Sequence, residues 1–121
     1  MRTWDFNLYG KTHKLCFTAR VQRACCEKFG SMEEMYNALS GEDEVAILDN
    51  SVWLLAEMMK AGDKYAKNNG IANDDPMSID DILDSCDVHS IRGAIVMTIN
   101  NGKRTTVEVD NNPKAEATQG N

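Results

Sequence analysis

The sequence predicts an α+β domain: an N-terminal β-hairpin packed on a bundle of about five helices, one of them long and central. Three observations carry this. Between residues 3 and 17, apolar and polar side chains alternate around Gly10, the pattern of two half-buried strands joined by a tight turn. From Thr18 onward, apolar residues recur at steps of three and four, each run preceded by a Ser, Thr or Asp. The longest run, Glu44 to Asn69, holds no proline and one glycine, Gly62.

In the hairpin, Trp4, Phe6 and Leu8 alternate with Asp5 and Asn7. With Gly10 and Lys11 as a two-residue type II′ turn, Trp4 would face Phe17, Phe6 would face Leu15, and Leu8 would face His13. An isolated hairpin is marginal, so the large side chains on this face must pack on helices. Thr18 is placed to cap a helix running to Phe29, with Val21, Ala24, Cys25 and Phe29 on one face and Gly30 ending it. Ser31 with Glu34 has the spacing of a capping box, and Met32, Met35, Tyr36 and Leu39 form the next stripe.

The central helix presents two stripes. Leu48, Val52, Leu55, Met59 and Ala66 make one, and Ile47, Leu54, Met58, Ala61 and Tyr65 the other, widened by Trp53. A helix apolar on two sides needs neighbours on two sides. Glu42, Asp43 and Glu44 stand at its positive N-terminus, and Gly70 closes it. A polar connector from Ala72 to Met77 leads to a short helix capped by Ser78. Asp87 opens the last helix, whose stripe of Val88, Ile91, Ile95 and Ile99 is expected to end near Gly102. Thr105 to Val109 alternates weakly, as an edge strand would. One domain over residues 1–109 and a mobile tail over 110–121 follow from this. The expected core comprises Trp4, Phe6, Leu15, Phe17, Phe29, Val52, Trp53, Leu55, Met59 and Ile95.

At 121 residues, the chain can bury roughly two-thirds of its unfolded surface and needs neither metal nor disulfide to fold. Its net charge of −6 disfavours nucleic acid as a partner. The charge is uneven: residues 1–30 hold six basic and two acidic side chains, residues 31–90 three and fourteen. Cys16, Cys25, Cys26 and Cys86 form no CxxC pair and read as reduced thiols of a cytosolic protein. No secretory signal is evident, and no apolar run nears the ~18 residues of a membrane span. His13 and His89 have no Cys or carboxylate at ligand spacing and read as surface or partly buried imidazoles. Asp74, Asp75, Asp80, Asp81 and Asp84 lack the order of a calcium loop and read as caps and a solvated face. The helices between Ser78 and Asn101 could mimic a helix-turn-helix, but Arg92 is the only base against four aspartates there. Neither a phosphate loop nor a nucleophile elbow is present, so no catalytic residue, cofactor or metal is expected. Among seven methionines, Met32, Met35 and Met58 stand out as candidates for an adaptable apolar surface, with core filling as the ordinary alternative.

An aromatic hairpin (Phe6 to Lys11, then Lys14 to Phe17) leads to a short helix ending at Phe29, Gly30 and Ser31. A second short helix follows, and then a long helix with a Trp near its first third (Val52 to Ala56). A late short helix opened by Ser78 and a polar tail complete the pattern. Over about residues 3–102, this order resembles the small tail assembly chaperones of long-tailed, siphovirus-type bacteriophages and prophages. The resemblance implies a cytoplasmic, non-catalytic protein that tends to oligomerise. It would coat the tape-measure protein while the tail tube assembles, with the tail tube protein as a further partner. A virion component, such as a head–tail connector or tail-completion protein, is the alternative from another class. The client groove is then expected between the central helix and the Ser31–Leu39 helix, lined by Met32, Met35 and Met58, with Trp53 in the core.

Overall fold

The computed structural model describes the backbone of residues 3–111 and the side chains of residues 3–102. Strands β1 (Trp4–Leu8) and β2 (Lys11–Leu15) pair antiparallel. They are followed by α1 (Ala19–Phe29), α2 (Met32–Ala38), α3 (Glu44–Asn68), α4 (Ile79–Ser85) and α5 (Val88–Asn111). An N-terminal two-stranded hairpin with helices, one of them long, is the α+β architecture that the sequence predicts.

Local chemistry sets the helix starts. The Thr18 hydroxyl accepts from the Val21 amide at 3.2 Å, Ser31 from Glu34 at 3.1 Å, and Ser78 from Asp81 at 3.1 Å. The Asp43 and Asp87 carboxylates accept from Ala46 and Ser90 at 3.1 and 2.8 Å. Each bond satisfies an amide that a helix start leaves without a partner.

The hairpin register differs from the expected one. Trp4 pairs with Leu15, Phe6 with His13, and Leu8 with Lys11. The turn is Tyr9–Gly10, with φ of 51° and 78°, which is the type I′ pattern of two positive-φ residues. A shift of two residues keeps every side chain on its face, so alternation alone could not distinguish the two registers. The shift leaves Phe17 beyond β2, and His13, which lies on the apolar face in either register, is buried at 2% exposure rather than at the surface or only partly buried.

The second correction is at the C-terminal end. Helix α5 does not stop near Gly102, and Thr105 to Val109 is helical rather than an edge strand. Extending an existing helix gains one hydrogen bond per residue fixed, whereas a strand without a partner gains none. Of the expected mobile tail, residues 112–121 lie outside the described residues.

Phe6, Leu15, Val52, Leu55, Met59 and Ile95 are buried. Trp4, Phe17, Phe29 and Trp53 are half-buried and pack against them. Phe29 and Trp53 meet edge to face at 5.7 Å, with the Lys28 ammonium 5.1 Å from the Trp53 ring.

Two contacts seat the hairpin. At Gly62 the α3 backbone approaches β2 so closely that a methyl group there would overlap the Lys14 carbonyl. One turn earlier, the Met58 carbonyl accepts from the Cys16 amide at 3.2 Å. The outer edge of β2 is closed by the connector after α3. The Thr12 amide donates to the Asp74 carboxylate and the Lys14 amide to the Asn73 side-chain oxygen, both at 2.8 Å. The Asn73 amide group in turn donates to Asp63 of α3, which is paired with Lys67 at 2.8 Å. These polar side chains occupy an edge that would otherwise be open to another strand.

Gly62→Ala should lower the unfolding free energy by about 3 kcal/mol, because the colliding atoms are backbone and no rotamer relieves them. Gly93→Ala, in α5 with open space around it, should raise stability by about 0.5–1 kcal/mol. Urea unfolding measures both, and a Gly62→Ala protein as stable as wild type would contradict the close approach.

The Lys67 ammonium, with help from Asn73, holds the Asp63 carboxyl below the usual carboxylate range. A depressed folded-state pKa gives stability that is present above the unfolded value near 3.8 and lost as pH falls through the folded one. Asp63→Asn should therefore be less stable than wild type at pH 7. The gap should close as pH falls well below the unfolded value, as followed by thermal unfolding across pH.

Candidate functional site

The groove expected between α2 and α3 is closed. Met35 and Met58 are each 0% exposed, and Met32 is half-buried against the same core. Helix α2 has only seven residues; of its apolar stripe Met32, Met35 and Leu39 pack on the core, while Tyr36 is exposed. Met35 and Met58 are therefore core side chains in this structure rather than the lining of an accessible surface. The thioether that fits an irregular partner fits an irregular core gap equally well.

An open apolar groove lies instead along α5, against the first turns of α3. Its deeper part, about 700 Å³, is walled by Val45, Ile47 and Leu48 from the first turns of α3 and by Val88 and Ile91 of α5. A second part of about 250 Å³ continues between the end of α2, at Tyr36 and Leu39, and Ile95, Val96 and Ile99 of α5. Ser51 and Arg92 line both parts, so the two form one groove running along α5. Val45 is 71% exposed, Val96 55% and Val88 47%. Aliphatic side chains left this open along one line are unlike the scattered apolar atoms of an ordinary surface.

The geometry follows from the lengths of the helices. The C-terminal half of α3 is covered by β2 and α4, while α2 and α5 flank its N-terminal half without meeting over it. Helix α5 supplies its wall with residues 88, 91, 92, 95, 96 and 99, the i, i+3, i+4 rows of one helix face. The inner members, Ile91, Ile95 and Ile99, reach the core, and the outer ones rim the groove.

The polar groups of the groove are sharply placed. Glu42 and Glu44 stand at its α3 end. Arg92 is exposed midway along it and forms no ion pair with any described residue. Sequence reading passed over Val45 and Val96, and it named Val88 in the stripe of the last helix and Arg92 on that helix's surface without assigning either to a groove. Its only usable signal was the excess width of the apolar surfaces on α3 and α5.

Of the remaining reactive groups, Cys16, Cys25 and His13 are buried and Cys26 and Cys86 half-buried. Burial pushes the Cys16 and Cys25 thiols up to about 11, and the Cys86 thiol is raised for the same reason. Thiols held this far above neutrality are poor nucleophiles. His13 borders a cleft of about 420 Å³ with Asp75 and Asp81, while its own Nδ1 is buried without a hydrogen-bond partner. His89 is exposed on the first turn of α5. Among the described residues, no three His, Cys, Asp or Glu side chains converge on a metal-sized site, and no helix is long and apolar enough to cross a membrane. No family model, curated protein or solved structure matches the chain.

Val45→Asp and Val96→Asp should change stability by no more than about 0.5 kcal/mol, as expected for exposed positions. Met35→Asp or Met58→Asp should unfold the protein, because each buries an unpaired charge. Circular dichroism melting curves separate the two classes, and a well-folded Met35→Asp protein would reopen the α2–α3 interface as a surface.

Proposed function

We propose that this protein is a non-catalytic chaperone that covers exposed apolar segments of a client protein. Taken with the resemblance to tail assembly chaperones, the client is a tape-measure protein held soluble in the bacterial cytoplasm while the tail tube assembles. The observation that supports this reading is the groove between the N-terminal half of α3 and α5, with its rim of exposed valines. Walls of aliphatic side chains accept any segment of matching apolar profile, because the hydrophobic effect is non-directional. A long client offers many such segments. Weak attachment at each then sums to strong overall binding, and self-association of the chaperone along the client would add to it. The acidic exterior of residues 31–90 keeps such a complex soluble.

Co-expression with a fragment of the cognate tape-measure protein tests the proposal. The wild-type protein should keep the fragment in the soluble fraction. Val45→Asp combined with Val96→Asp should abolish this while the variant itself stays folded. A fragment that is equally insoluble with and without the wild-type protein would end the chaperone reading.

A further inference from the structure

We propose that the groove takes an amphipathic helix of about three turns with a fixed charge pattern. The helix carries a carboxylate beside the middle of its apolar stripe and a basic residue at the end that lies against the start of α3. The inference rests on the groove being a docking surface, as in the reading above, and not on which client supplies the helix.

Length and backbone chemistry select a helix. Along α5 the wall runs from Val88 to Ile99, about 16 Å at the helical rise, which is three turns of a partner helix. The aliphatic walls are mainly side chains of α3 and α5, whose own backbones are internally bonded, and only Leu39, Ser40, Gly41 and Glu42 add non-helical lining. An extended segment would bring its amides and carbonyls against aliphatic walls with no strand edge to receive them. A helix arrives with those groups already satisfied.

Charge selects the pattern. Arg92 stands midway along the groove with no ion pair to any described residue. A partner lying in the groove strips water from that guanidinium, which is costly unless the partner supplies an acceptor. A carboxylate is the best match, since it can take two parallel hydrogen bonds from the guanidinium fork. At the α3 end, Glu42 and Glu44 line the groove and likewise form no ion pair with described residues. They favour a lysine or arginine on that end of the partner. The two features together fix the direction of the bound helix. A second copy of this chain fits less well, because a two-fold packing of groove on groove about the middle of α5 would set Arg92 against its symmetry mate.

The test is fluorescence anisotropy of the full chain with two labelled helical peptides of about fifteen residues that share one leucine stripe. The first has a glutamate beside the middle of the stripe and lysines at one end; in the second these charges are exchanged. The first peptide should bind about tenfold more tightly, and Arg92→Glu should shrink that preference, since Glu42 and Glu44 still favour the lysine end. Added salt should shrink the preference more than the affinity, because the apolar stripe is insensitive to screening. Equal affinities, no binding of either peptide, a preference unchanged in Arg92→Glu, or binding indifferent to Val96→Asp would each overturn the proposal. So would sedimentation showing a dimer that Val96→Asp dissociates, since the groove would then be filled by a second copy. A client left insoluble while the peptide preference holds would sink only the chaperone reading. A client rescued without any peptide preference would sink only this one.

Discussion

The hairpin and the helices are one body because α3 has no side chain at Gly62. Glycine inside a helix costs about 1 kcal/mol relative to alanine, and here the absent methyl leaves room for the β2 backbone at Lys14 and Leu15. That approach brings the chain leaving β2 near enough for the Cys16 amide to reach the Met58 carbonyl. It also buries Leu15, Cys16 and Met58 completely. With β2 fixed on α3, β1 is carried over to α5, and the connector after α3 is left alongside the open edge of β2. Asn73 and Asp74 then close that edge with side-chain and backbone bonds rather than with a third strand.

The same constraint decides which part of α3 stays available. The hairpin and α4 cover its C-terminal half, so the first turns of α3 are left to α2 and α5, which flank them from either side. Helix α2 is only seven residues long, and α5 buries its inner isoleucines, Ile91, Ile95 and Ile99, while its outer residues stay open. The groove is what remains between them. Its aliphatic lining is therefore a product of helix lengths and spacing rather than of any residue type suited to binding.

Charge divides along the same lines. Acidic residues serve the fold where they cap helices, as Asp43 and Asp87 do, or tie the connector to α3 and β2, as Asp63 and Asp74 do. Glu42, Glu44 and Arg92 have no such bonds to described residues and stand around the groove. Cys16, Cys25 and His13 are buried, and burial raises the two thiols and suppresses their reactivity.

The sequence by itself determined the elements as far as Gly102, though not the helical course of Thr105 to Val109. Helix starts were legible because a cap is a contact over three residues, as in Ser31 with Glu34 or Ser78 with Asp81. Strand faces were legible because alternation has a period of two. That period also set the limit, since it cannot separate registers two residues apart; the turn did so by placing Tyr9 and Gly10 at positive φ. Periodicity named Met35 and Met58 as apolar-face residues but could not say whether those faces were covered. Only tertiary structure decided that, by laying α2 over them and leaving Val45, Val88 and Val96 bare. It also decided that Gly62 is a contact rather than a flaw in a helix, because that depends on a strand more than forty residues away in the chain.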